Sequence, residues 1–152
     1  MLMLHAQDLL DQRIIESKKF VPLYAHSSVN EAMIEIVNMV RLTSTQSHLE
    51  IEYIQNRFPE LRFDKRRLQQ VLLNLLSNAI KSQSKGVITV LPRIKREDEQ
   101  LFLEVSVEDQ GLGLTQEEIK CIFEPFGTFK NRNNRTHQSN GVGLSICKQI
   151  CE

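Results

Sequence analysis

The stretch DKRRLQQVLLNLLSNAIK (64–81) most constrains what this chain can become. Leu68, Val71, Leu72, Leu75, Leu76 and Ala79 recur at the three-and-four spacing of a buried helix face. Asp64 stands where a capping side chain belongs. On the same helix Asn74, Asn78 and Lys81 fall at i, i+4 and i+7. At about 100° per residue this second stripe lies roughly 120° from the centre of the apolar one, flanking a core. Two carboxamides and an ammonium in line suit a metal-phosphate ligand: amide oxygens for a hard divalent cation, a point charge for phosphate. The alternative is a polar helix face that happens to carry two asparagines, and the helix alone leaves both open.

Around this helix the chain alternates element types. Residues 1–19 read as an amphipathic helix with Leu2, Ala6, Leu9, Leu10 and Ile14 on one side, an apolar stripe that needs a partner helix or a second copy of itself. Pro22 forbids its continuation. Ser27 or Ser28 caps a second helix carrying Ala32, Ile34, Ile36, Val37 and Val40, with Ser28 and Glu31 at capping-box spacing. HLEIEYI (48–54) alternates as a strand, and 56–63 is a connection. VITVLP (87–92) and LFLEVSVED (101–109) are further strands joined by a charged hairpin turn, with Leu101, Leu103, Val105 and Val107 on one face. Thr115 caps a helix over QEEIKCIF. EPFGTFKNRNNRTHQSN (124–140) is a long loop, functional or mobile, and GVGLSICKQIC (141–151) opens another helix.

Composition excludes several classes. With 152 residues, 41% hydrophobic and 25% charged, the chain holds one core and a short appendage. Nineteen basic and nineteen acidic residues give no pull towards nucleic acid or anionic membrane. No apolar run reaches membrane-spanning length. Cys121, Cys147 and Cys151 form no CxxC pair and fit reduced thiols in a cytoplasmic protein.

Three features then converge in order. After the Asn74–Asn78–Lys81 stripe comes DQGLG (109–113), where a strand ends in a carboxylate and glycines let the backbone approach a ligand closely. A buried Asp109 there accepts a hydrogen bond from an adenine amine, or is merely a turn aspartate. Last is GVGL, opening a helix whose free N–H groups and dipole favour phosphate. With these in place, NLLSNAIK resembles the N box of sensor histidine kinases, DQGLG their G1 box, FEPF (123–126) their F box and GVGL their G2 box. DLLDQRIIESKKF also resembles the end of their second dimerisation helix.

The resemblance implies an α+β fold, a two-layer α/β sandwich of the Bergerat ATPase type. Its mixed, mostly antiparallel sheet is covered by helices on one face, and the family's last strands are missing here. It divides the chain into the end of a dimerisation helix (1–20) and an ATP-binding catalytic domain (21–152). The cofactors implied are ATP and Mg²⁺. Asn78 holds the metal with Asn74 beside it, and Lys81 contacts phosphate. Asp109, Gly111 and Gly113 form the adenine pocket, and Phe123 and Phe126 anchor the lid hinge. Gly141, Val142, Gly143 and Leu144 close over the triphosphate. The activity implied is that of a histidine protein kinase in a two-component phosphorelay, with Asn74 and Lys81 assisting transfer. Its partners are a histidine-containing dimerisation domain and a response-regulator receiver domain, with homodimerisation through the N-terminal helix. FEPF and Asn74 separate the chain from gyrase, MutL and Hsp90 relatives, which carry a glutamate as base at position 74. Three departures stand out. Ser82 and Gln83 replace the usual aromatic and Thr or Ser, which weakens the wall beside the nucleotide. Ser139 replaces a glycine. None of His5, His26, His48 and His137 has the acceptor context, so the phosphorylated histidine is expected elsewhere. A catalytically silent ATP-binding regulatory module and an ATP-hydrolysing machine are the alternatives.

Overall fold

The computed structural model describes residues 21–43, 48–124 and 143–152. The expected N-terminal helix and nearly all of the loop after Phe123 lie outside them. The described chain divides into two units, Tyr24–Gly113 and the described parts of Met1–Leu23 and Leu114–Glu152.

The first unit runs β1 (Ala25–Ser27), α1 (Val29–Thr43), β2 (His48–Tyr53), β3 (Leu61–Phe63), α2 (Lys65–Ser82), β4 (Lys85–Glu97) and β5 (Gln100–Glu108). Both helix starts are chemically fixed. The Ser28 hydroxyl accepts from the Glu31 amide at 3.3 Å, and the Asp64 carboxylate accepts from the Arg67 amide at 3.1 Å. β2, β4 and β5 form one mixed sheet, β4 pairing parallel with β2 and antiparallel with β5. A separate antiparallel pair joins β1 to β3, His26 opposite Arg62. The sequence reading left 56–63 as a connection, because three residues are too few to display a period.

One core holds the unit together. Val29, Met33, Ile36, Val37 and Val40 of α1 and Leu72, Leu76 and Ala79 of α2 meet Ile51, Ile88 and Val90 of the sheet. Leu103, Val105 and Val107 of β5 pack against that cluster. Between the helices, the Lys65 ammonium sits 2.8 Å from the Glu35 carboxylate, and Gln69 donates to Glu35 at 2.7 Å and to the Ala32 carbonyl at 3.2 Å.

β4 is longer than expected, continuing five residues past Pro92 to Glu97. Pro92 has no N–H to give, yet it sits within the middle strand. The Val90 carbonyl accepts from Ile54, so residue 92, two further on, also turns its backbone towards β2. β2 has ended by then, pairing only as far as Tyr53 with Val90. The missing donor therefore faces no ladder, and the Pro92 carbonyl accepts from the Asn56 carboxamide at 2.6 Å instead. Beyond Pro92 the β4–β5 hairpin outruns the helices, which leaves Ile94 39% and Leu101 67% exposed. Leu101 thus shares the strand face of Leu103, Val105 and Val107 without joining the core.

In the second unit, Thr115 caps α3 (Gln116–Cys121) with both arms of a capping box, its partner being Glu118. The helix is shorter than the expected 116–123. α4 (Gly143–Cys151) buries Ser145, Ile146 and Cys147.

Candidate functional site

The polar stripe of α2 lies where the amphipathic pattern puts it, with one revision. Leu73 and Ile80, partly buried like Val71 and Leu75, are the ones that pack against the core cluster, so the apolar face is turned towards the Leu73–Ile80 side. At about 100° per residue this places Asn74, Asn78 and Lys81 nearly opposite the core's centre. All three are nonetheless half-buried. They present two amide oxygens and an ammonium along two turns of a helix clamped by Leu72, Leu76 and Ala79.

The end of α2 is tied to the loop after β5, and this joint was not anticipated. The carboxylate of Asp109 is exposed, where the sequence reading expected it buried. Its Oδ1 accepts from the Ser82 hydroxyl and from the Gly111 amide, each at 2.8 Å. The neighbouring Gln110 amide donates to the Gln83 side-chain oxygen at 2.5 Å. Gln83 is also the C-cap residue of α2, in an extended conformation that turns the chain towards β4. Two consecutive side chains at a helix end thereby hold two consecutive residues of a loop, and Asp109 in turn holds Gly111. The signal in the sequence was a pair of polar residues at the end of the helix, where the resemblance implies an aromatic and a hydroxyl.

The glycines of this joint have different reasons. A Cβ on Gly111 would stand 2.6 Å from both the Ser82 hydroxyl oxygen and Asp109 Oδ1, so close approach demands glycine there. Gly113 has φ of 66° and open space around it, so its demand is conformational. Gly86, at φ 109°, would in addition push a Cβ to 2.5 Å from the Gln110 side-chain oxygen.

The remaining expected residues fall elsewhere. Gly143 and Leu144 form the first turn of α4 in the second unit, both half-buried. Phe123 is exposed just after α3. Phe126, Gly141 and Val142 lie outside the described residues. His26 and His48 are exposed strand residues. Among the described residues no three His, Cys, Asp or Glu side chains gather as a metal cage. On the α2 stripe a hard cation would meet the carboxamides of Asn74 and Asn78. That set suits Mg²⁺, which takes few protein ligands and shares phosphate oxygens.

Comparison with known proteins gives this geometry a context. The model of the histidine kinase-, DNA gyrase B-, and HSP90-like ATPase family matches residues 63–152. The chain is 31% identical over 144 residues to the non-motile and phage-resistance protein of Caulobacter vibrioides, covering 94% of this chain and 17% of that one. It is 32% identical over 153 residues to hybrid signal transduction histidine kinase A of Dictyostelium discoideum, covering 95% and 7%. It thus spans less than a fifth of either relative. Among solved structures, the catalytic domain of histidine kinase ThkA superposes with a TM-score of 0.67 at 27% identity, over 84% of this chain and 79% of that one. The Acinetobacter baumannii histidine kinase AdeS shares the fold, with a TM-score of 0.70 at 21% identity over 95% and 64%.

Proposed function

The chain belongs to the histidine kinase-, DNA gyrase B-, and HSP90-like ATPase family, and from that premise we propose that it is the Mg-ATP-binding catalytic domain of a sensor histidine kinase. The observation that carries this reading is the joint between α2 and the loop after β5. A carboxylate is held at the end of a strand with one oxygen filled. On the helix that holds it, two carboxamides and a lysine stand in line.

In this reading the free Oδ2 of Asp109 accepts the adenine amine, and Gly111 and Gly113 shape the backbone around the base. Lys81 places a charge beside the phosphates, and Asn78, with Asn74 alongside, offers amide oxygens to the cation. Mg²⁺, when bound with the nucleotide, neutralises charge on the phosphates. Phosphoryl transfer asks mainly for position and charge neutralisation, so side chains fixed on a packed helix suffice. Gly141, Val142, Gly143, Leu144 and Phe126 contribute the closing segment. The acceptor is a histidine of a dimerisation domain, and phosphate then passes to a receiver domain of a response regulator. Residues 1–20 are the tail of that dimerisation helix, and residues 21–152 the catalytic domain, working in the cytoplasm. Among the described residues no helix is long and apolar enough to cross a membrane.

Binding of a fluorescent ATP analogue tests the reading. Wild type binds in a Mg²⁺-dependent manner, Asp109→Ala abolishes binding, and Asn78→Ala removes the Mg²⁺ dependence while leaving weak affinity. Failure of the wild-type chain to bind millimolar nucleotide would sink it. Because position 74 holds a carboxamide, which is no general base, steady ATP turnover without an acceptor is expected to stay near background in a phosphate-release assay.

A further inference from the structure

Ser82 lies at the last residue of α2, 27 positions before the carboxylate it touches. Its hydroxyl oxygen is 2.8 Å from Asp109 Oδ1 and also 2.8 Å from the Ala79 carbonyl. A hydroxyl has one proton to give. Of the two acceptors the carboxylate carries the charge, and a charge-assisted bond is about twice as strong as a neutral one. The hydroxyl therefore donates chiefly to Asp109, with the Ala79 carbonyl a weaker, competing acceptor.

The consequence lies on the carboxylate. Oδ1 receives the Ser82 hydroxyl and the Gly111 amide, which together occupy its two lone pairs. Among the described residues Oδ2 has no partner. An exposed aspartate would otherwise rotate freely about its terminal torsion and offer either oxygen. With Oδ1 tied from both sides, one oxygen faces outward in a fixed direction, and it can only accept. A Cβ on Gly111 would stand 2.6 Å from both the Ser82 hydroxyl oxygen and Asp109 Oδ1, so the glycine is what lets the three residues meet in one close corner.

We propose that Ser82 is a positioning residue for base selectivity: it locks Asp109 so that Oδ2 presents a single fixed acceptor to the exocyclic amine of an adenine nucleotide and rejects a base with a carbonyl there. This rests on the nucleotide-binding reading above. Ser82 acts through Asp109 and touches no phosphate, so its effect is confined to the base.

The test is direct calorimetric titration with Mg-ATP, Mg-ITP and Mg-tripolyphosphate, for wild type, Ser82→Ala, Ser82→Thr and Asp109→Ala, with circular dichroism to confirm folding. ITP carries a carbonyl in place of the amine. In Ser82→Ala, ATP affinity falls about tenfold, the scale of one hydrogen bond to a charged group. ITP and tripolyphosphate are unchanged, and Ser82→Thr restores ATP. Unaltered ATP affinity in Ser82→Ala, or parallel loss of all three ligands, overturns the proposal even when Asp109→Ala abolishes ATP selectivity as expected. A wild type that fails to prefer ATP over ITP, or an Asp109→Ala that keeps the preference, overturns the nucleotide reading itself and this proposal with it.

Discussion

At the scale of single residues, the corner at Gly111 makes the sharpest demand. Gly111→Ala places a methyl where Ser82 and Asp109 already stand, so ATP-analogue affinity falls by about tenfold or more as their bond opens. Gly113→Ala meets open space and only a left-handed backbone, which costs about 1 kcal/mol of stability in urea unfolding. The hairpin turn holds a second left-handed position, Asp98 at φ 52°. Aspartate tolerates it, whereas a β-branched side chain does not, so Asp98→Val lowers stability by about 1–2 kcal/mol in the same assay. None of this follows from the residue names in DQGLG. The sequence marks a turn with glycines; which glycine serves close approach and which serves φ depends on a partner at position 82, far away in the chain.

At the scale of elements, α1 and α2 meet through the core and across a surface triad of Glu35, Lys65 and Gln69. Hydrogen bonds from Lys65 and then Gln69 hold the Glu35 carboxyl below the ordinary glutamate range, and Glu35 raises the Lys65 ammonium in turn. A depressed carboxyl contributes stability that is complete above its unfolded pKa and is lost as pH falls through its folded one. Glu35→Gln therefore lowers the neutral plateau slightly and converges with wild type at acid pH, as read from urea midpoints, and the change is small because the pair is exposed. Leu76→Ala, in contrast, empties a fully buried site and costs about 2–5 kcal/mol at any pH. Helices and strands were readable here because their period and caps are local: Asp64, Ser28 and Thr115 all cap as their spacing foretold. Strands β1 and β3 were not, since three residues carry no period and their pairing spans more than thirty positions. The facing of α2 was legible only to within one row of side chains, because Val71 and Leu73 are equally apolar and only the sheet decides between them.

At the scale of the whole molecule, the ordered motifs resembled a kinase catalytic domain before any fold was visible, and the family model spans 63–152. What the motifs could not convey is how the expected adenine aspartate is supported. The resemblance reads Ser82 and Gln83 as a weaker wall beside the nucleotide, and the structure adds that they bond to Asp109 and Gln110. The same scale governs the acceptor. None of His5, His26, His48 and His137 has the sequence context of the family's acceptor, so radiolabelled ATP is expected to leave this chain unlabelled and to label a supplied histidine-containing dimerisation domain.

The overhang of the β4–β5 hairpin has a practical meaning. Its tip at Asp98–Glu99 lies beyond the helices, braced by ion pairs such as Lys95 to Glu97 at 2.7 Å. Its amides are expected to exchange with solvent long before those of Ile88 and Val90. A tip that opens alone is a place to attach things. A dye or a tether fixed at Glu99 would ride on the sheet while leaving the corner of Ser82, Asp109 and Gly111 undisturbed at the other end of β5.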